Sequence, residues 1–402
     1  MAAGLFASVW AVCQAQTAPP FSQLLDDALT RAPVLIEQRA TVSAAAADAA
    51  QARMWLNPRV DVLAENLGTP TQGGVSQRQD TVALTQPLEI GGKRGARIEA
   101  SDRNFAASQA RAQQVRVNFA AELAIAYATA EAALARKVLA AEDVARATDD
   151  LRATQALVNA GREADLRLAQ VRASLAVAQA AAQAASAEAV AALERLSALT
   201  GMTVPYADVA GGLLTLPGPA VPLVGGIDSP AVVTARSEKE ALEAQVRFEQ
   251  KRWIPDVGIS AGVRRYGWTN DTGYQIGVSL SVPLFDRNTR AVEAAQQRAS
   301  AAEARLLDAQ LQAGAAGRSA RAQVSAARQR LAAADTAEQA AAEAYRLGRI
   351  GFEAGRTSLI ELLATRRALV EARALTIEAR LTQVRAAAAL AVAGGQLAFS
   401  GE

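Results

Sequence analysis

The sequence predicts a mostly helical protein with a small β part, laid out as two tandem copies of one plan. Three observations predict this. Hydrophobic residues make up 51% of the 402-residue chain and aromatics only 4%. Much of the apolar content is alanine, which cannot fill one large globular core but suits long helices packed closely through small side chains. Landmark residues also recur at a nearly fixed offset. Pro33 and Pro230 lie 197 residues apart, as do Pro58 and Pro255; Pro87 and Pro283 lie 196 apart, and both Gly161/Gly355 and Gly201/Gly395 lie 194 apart. Finally, a pair of alternating strand patterns precedes a very long helical pattern once in each copy.

Taken in order, residues 1–15 read as an apolar secretory signal followed by small residues, with a cut after Ala15 and no Lys or Arg ahead of the apolar run. A buried first helix is the alternative. Cys13 is a lipidation candidate only in name, since Trp10 and Val12 before it do not suit a lipobox. Residues 16–200 form the first repeat: a helix over about 22–56 closed by Pro58, two strands, a helix over 92–158, a glycine turn and a helix over 163–200. The Gly/Pro-rich span 201–228 reads as a linker. Residues 229–395 repeat the plan, with helices over about 229–253 and 287–353, and 396–402 is a tail. At 1.5 Å per residue each long helix extends for about 100 Å. The shorter helix covers half of that, and the opening helix supplies the rest if the two stack end to end.

The strands carry the first functional signal. In "YQIGVSLSVP", Tyr274, Ile276, Val278, Leu280 and Val282 face one way, while Gln275, Gly277, Ser279 and Ser281 face the other. In "DVGISAGVR", Val257, Ile259, Ala261 and Val263 alternate with Gly258, Ser260 and Gly262. Val60, Val62, Val82 and Leu84 give a weaker version in the first copy. Strands of this length suit a tilted membrane span. Tyr266, Trp268 and Tyr274 flank the second hairpin as an interfacial aromatic girdle does. Four strands cannot close a barrel, so a membrane reading requires several chains to pool them, and three chains supply twelve. A soluble four-stranded sheet with aromatics at its rim carries the same pattern.

Composition excludes several classes of function. The net charge of +2 gives no nucleic-acid footprint. There is no histidine, one cysteine and three methionines (Met1, Met54, Met202), so no His/Cys/Met metal site is expected, and no cofactor. "GGKRG" lacks the spacing and the Ser/Thr of a phosphate loop, and nothing pairs a nucleophile with a base. An enzyme is not expected.

At the two strand-to-helix junctions, "TQPLEIGGKRGARIEA" and "SVPLFDRNTRAVEAA", and in "AYRLGRIGFEAGRTSLIELLATRRALVEA" near the end, the chain resembles the TolC-type outer-membrane efflux proteins. Their nearest branch is the outer-membrane component of cobalt–zinc–cadmium resistance pumps. The resemblance spans essentially the whole mature chain. It implies a homotrimer in which four strands per chain build a 12-stranded transmembrane β-barrel, continued by an α-barrel of long antiparallel helical hairpins. It implies an exit duct for divalent metal cations, with a periplasmic adaptor (membrane fusion) protein, a proton-driven inner-membrane pump of the resistance-nodulation-division type and outer-membrane lipid as partners. The same duct serving organic solutes or drugs, and a periplasmic coiled-coil scaffold, are the competing readings.

Within that frame Pro87 and Pro283 end strands at the barrel rim, since proline cannot donate to a ladder. Gly91 and Gly92 let the backbone turn into the helix, and Asp286 caps the second long helix. Lys93, Arg94 and Arg97 lie at the inner lipid interface, satisfied by anionic headgroups or carboxylates, or are simply solvated. The turns at Asn159–Asp165 and Phe352–Leu359 form the periplasmic tip. By resemblance Glu361, with Asp165 near the matching position of the first copy, supplies a ring of carboxylates facing the axis, paired by Arg162, Arg356 and Arg366. Gly161, Arg162, Leu166, Gly355, Arg356, Leu359 and Leu362 are the candidate adaptor contacts; otherwise they are tight turns.

Overall fold

A computed structural model describes residues 16–68, 73–216 and 229–399. The signal reading with Cys13, residues 217–228 of the expected linker, and 400–402 of the tail lie outside the described residues. The chain divides into two compact units. One holds the described residues up to Gln38, those from Gln113 to Pro230, and those from Gln312 onward; the other holds Arg39–Ala112 and Ala231–Leu311.

The element order is β1 (Gln16–Ala18), α1 (Phe21–Arg31), α2 (Pro33–Ala52), β2 (Arg59–Glu65), β3 (Gln79–Glu89), α3 (Lys93–Asn159), α4 (Asp165–Thr200), β4 (Tyr206–Val209), a 3₁₀ turn (Leu213–Thr215), α5 (Pro230–Lys251), β5 (Asp256–Tyr266), β6 (Thr272–Leu280), α6 (Thr289–Glu353) and α7 (Leu359–Ala393). A helix, two strands, a long helix and a shorter helix therefore occur twice in order. The expected helix over 22–56 is two helices. Pro33 forces Ala32 to an extended ψ of 129°, because its ring excludes the helical conformation from the residue before it. Neither Pro58 nor Pro255 closes a helix. α2 stops at Ala52 and α5 at Lys251, and each proline leads instead into the strand that follows.

The first unit has the only large aromatic core found among the described residues. Leu25, Leu123, Tyr127, Leu196, Leu213 and Leu381 are essentially inaccessible. Phe21 meets Tyr127 and Phe399 edge-to-face, with centroids 5.8 and 6.1 Å away. Alanines 120, 124, 128 and 388 are fully buried between the helices, where larger side chains would push the backbones apart. β1 and β4 pair in parallel. The described part of 201–228 thus carries core structure: the Tyr127 hydroxyl accepts from Gly211 N–H at 3.2 Å, and Glu131 accepts from Gly212 and Leu214 N–H. Gly201 ends α4 at positive φ, and a Cβ there would come within 3.2 Å of Pro33, so α4 abuts the α1–α2 break end to end.

The second unit is organised by an antiparallel sheet in the order β2-β3-β5-β6. α6 is notable for how little of it its own chain covers: Ala295, Ala302, Ala320 and Ala327 are its only buried residues. They form two pairs at heptad spacing.

Candidate functional site

The sheet is inside out relative to a soluble one. Its register lines up Val62–Val82–Val263–Tyr274, then Val60–Leu84–Ala261–Ile276, then Gln86–Ile259–Val278 and Leu88–Val257–Leu280. All of these rows share one face by the two-residue strand period. That face is open: Tyr274 is 88% exposed, Ile276 86%, Val62 75% and Val278 74%. The opposite face carries Asp61, Thr85, Gln275, Gly258, Gly262 and Gly277. There Arg264 donates to Thr81 Oγ1 at 2.9 Å and lies 3.5 Å from Glu65, and Thr85 donates to Asp61. A Cβ on Gly262 would sit 2.6 Å from the Val82 carbonyl oxygen. The polar face is therefore the crowded one and the apolar face the free one. A soluble four-stranded sheet covers its valines and isoleucines; this arrangement offers them to a hydrocarbon solvent.

The girdle needs one correction. Tyr266 and Trp268 stack with centroids 4.7 Å apart, but Tyr266 shares the polar face with Arg264 and covers Gly273. Only Tyr274 stands on the apolar face. A charged row, Asp80–Arg265–Thr272, borders the apolar band at the hairpin end. The opposite end carries a second aromatic set that the sequence reading missed: Trp55, Trp253 and Phe285, all exposed. The signal was present, since a tryptophan precedes both Pro58 and Pro255.

At the junctions Pro87 does not end its strand. It pairs with Gly258 inside β3, which continues to Glu89. β2 has already stopped at Arg59↔Thr85, so β3 is an edge on that side and tolerates a proline. β6 stops at Leu280, three residues short of Pro283. Gly91 and Gly92 have φ of +66° and +75°, and a Cβ on Gly91 would strike Ile254 at 2.7 Å. Lys93 is neutralised by Asp256 at 2.8 Å and Arg97 by Glu89. Arg94 instead lies over the Trp55 ring at 5.0 Å. Asp286 does not cap α6: it accepts from the Asn288 N–H at 2.9 Å, bending the chain two residues earlier. Asn288, at φ +58°, donates to the Glu249 carboxylate at 2.8 Å.

The two tips, in the first unit, repeat one turn chemistry. After α3, Gly161 N–H donates to Val158 and Arg162 N–H to Leu157. After α6, Gly355 N–H donates to Phe352 and Arg356 N–H to Gly351. With Gly161 and Gly355 at φ +67° and +71°, both are Schellman turns, which need glycine at the left-handed position. Arg162, Arg356, Asp165 and Leu166 are exposed. Leu359 and Leu362 are buried, so they pack α7 against its own chain and give no free apolar grip; Leu166 and Ile360 remain open. Glu361 is exposed and occupied in a capping box, accepting from Ser358 N–H at 3.1 Å while its own N–H donates to Ser358 Oγ.

Arg366 pairs with neither tip carboxylate. Leu359, Leu362, Arg366 and Leu369 form one buried stripe of α7, which carries the guanidinium inward to 5% exposure. There it meets Asp150 at 2.5 Å, Asp143 at 3.4 Å and Ser174 Oγ at 2.7 Å. Burial pushes the Asp150 carboxyl above its usual range, against the pull of Arg366. An open cleft of about 710 Å³ lies beside this cluster, lined by Val177, Ile360, Leu363, Arg367 and Glu371 among others. Among the described residues no cluster of His, Cys, Asp and Glu suits a metal ion, and no helix is long and apolar enough to cross a membrane.

An outward apolar sheet joined to very long helices defines a class: an outer-membrane channel protein. The outer membrane efflux protein family profile matches residues 24–202 and 227–396, and the chain belongs to that family. It is 58% identical over 389 residues to the nickel-cobalt-cadmium resistance protein NccC of Alcaligenes xylosoxydans xylosoxydans, covering 96% of this chain and 89% of that one. It is 59% identical over 391 residues to the nickel and cobalt resistance protein CnrC of Cupriavidus metallidurans, covering 97% and 93%. The fold matches that of the transmembrane channel CusC, with a TM-score of 0.80 over 94% of this chain and 92% of that one at 16% identity. The chain is an outer-membrane efflux protein extending into the periplasm, not an enzyme. That assignment removes the periplasmic scaffold reading.

Proposed function

We infer that this protein is the exit duct of a tripartite efflux system that expels divalent heavy-metal cations, nickel and cobalt foremost. The observation that carries the cargo is the near-full-length identity to two nickel and cobalt resistance proteins. The duct itself is supported by the sheet. β2 and β6 are both unpaired edges, and β6 carries no charge over its nine residues, which makes it a hazard unless paired. Joining β6 of one copy to β2 of the next in a homotrimer closes twelve strands with no edge left. The bare length of α6 is then covered by neighbouring helices. The repeated element order supports a tandem duplication, with 16–200 and 229–395 as the two copies.

In this reading the adaptor protein docks at the periplasmic tips, on Gly161, Arg162, Leu166, Gly355 and Arg356 and along the cleft beside Ile360 and Arg367. The inner-membrane pump supplies energy. Glu361 and Asp165 from three chains form the acidic constriction, which attracts cations and keeps its carboxylates apart. The test is the metal content of cells lacking the protein after challenge with nickel, cobalt, zinc and cadmium. Retention of nickel and cobalt, reversed by the intact gene, is the expected result. Normal metal levels with retention of a hydrophobic dye would assign the duct to organic solutes instead.

A further inference from the structure

The end of the sheet where strands meet helices has an unbalanced electrostatic arrangement. Four cations cluster at the start of α3, and three have carboxylate partners: Arg53 with Asp102, Lys93 with Asp256 and Arg97 with Glu89. Arg94 has none among the described residues. It donates one N–H to the Arg53 carbonyl at 2.6 Å, lays its plane over Trp55, and leaves Nε buried without a hydrogen-bond partner. Lys251 reaches the same turn from α5, donating to the Gly91 carbonyl at 3.1 Å, likewise without a carboxylate among the described residues. The first turn of α3 contains no acidic residue, so the positive end of a 67-residue helix is not offset there either.

The surroundings are apolar. Met54, Trp55 and Trp253 are each more than half exposed, and Leu56 and Ile90 are open too. Free inorganic anions prefer water to such a surface, whereas a lipid phosphate carries its own acyl chains. A guanidinium stacked on indole is desolvated on one face, and with Nη2 held by the Arg53 carbonyl its Nη1 side is left for a charged acceptor. We propose that Arg94 and Lys251, bracketing the Gly91–Gly92 turn, bind the phosphate of an anionic glycerophospholipid whose acyl chains lie against Trp55 and its apolar neighbours. This rests on the reading of the sheet as membrane-embedded.

The experiment reconstitutes the full-length protein into nanodiscs of equal parts phosphatidylglycerol and phosphatidylcholine, then counts retained lipids by native mass spectrometry. The wild type retains phosphatidylglycerol preferentially. The Arg94→Gln/Lys251→Gln pair lowers that preference by at least about tenfold, since the loss of even one charge-assisted contact accounts for about that much. Arg94→Lys, which keeps charge but loses the guanidinium and its stack, falls between the two. Arg152→Gln, an exposed arginine of the other unit that pairs only with its neighbour Asp149, leaves retention unchanged. Equal retention of the two lipids by wild type, or undiminished preference in the double variant, overturns the proposal. So does complete displacement by excess inorganic phosphate, which would make this a free-anion site. Failure of the wild type to enter the discs would sink the membrane reading together with this one; entry without preference sinks this one alone.

Discussion

Replacing Arg366 by methionine tests whether the buried ion cluster holds α7 to α3 and α4. The side chain is 5% exposed as a residue and faces two carboxylates that are themselves mostly buried. Removing one partner of such a pair leaves an uncompensated buried charge, which costs about 3–5 kcal/mol. Asp143 Oδ1 already lacks a hydrogen-bond partner, so no second donor stands ready. Hydrogen exchange of the amides in 140–155 and 359–370, measured on the detergent-solubilised protein, reads local opening directly. A cost of that size accelerates exchange by about two to four powers of ten. Adding Asp150→Asn to Arg366→Met recovers part of the loss, because one of the two carboxylates that faced the arginine is then neutral while Asp143 stays charged. The pH dependence has a definite sign. The folded Asp150 carboxyl lies above its unfolded value, so its contribution to stability is present below the unfolded value and is lost as pH rises through the folded one. The Arg366→Met penalty therefore shrinks on acidification through that window. Acceleration below about fivefold in the single variant, or no recovery in the double, would refute the argument that the pair is a buried structural contact.

Two further predictions concern the sheet and the tip. Ile276→Arg, midway along the apolar face of β6, costs about 2–4 kcal/mol per chain in lipid and depletes the protein from the outer-membrane fraction. Gln275→Arg, one residue away on the polar face, leaves it there; equal behaviour of the two would contradict the facing derived from the register. Glu361→Gln keeps an acceptor for the Ser358 N–H and so preserves the capping box, while Glu361→Ala loses it. If Glu361 lines the constriction, planar-bilayer conductance rises in both; if it only caps α7, the glutamine variant conducts as wild type does.

Much of this was legible because it is written in short-range patterns. The period of two in β5 and β6 fixed which side chains share a face, and Gly161 and Gly355 marked tips whose Schellman turns are local chemistry. What failed depended on partners distant in sequence. Pro87 looks like a strand terminator until β2 is seen to stop at Thr85, leaving an edge that a proline can occupy. Asp286 looks like a helix cap until Asn288 takes up a left-handed turn anchored on Glu249. Arg366 looks like a tip residue by its nearness to Glu361, although the spacing of Leu359, Leu362 and Leu369 places it on the buried stripe. Asp143 and Asp150, seven residues apart on α3, gave the matching signal on the other helix.

The sheet also explains why this chain cannot be a finished protein in water. Its apolar residues point outward, its glycines and polar groups crowd the other face, and β6 presents Tyr274, Ile276 and Val278 on an unpaired edge. Covering the edges alone would leave the apolar face wet, and covering the face alone would leave two rows of unpaired backbone groups, each expensive in hydrocarbon. In the proposed reading a closed barrel set in lipid satisfies both demands at once, and since four strands are too few to close it, several copies supply the rest. On that reading the same short strands that pair with one another also call for further copies of the chain and for a membrane.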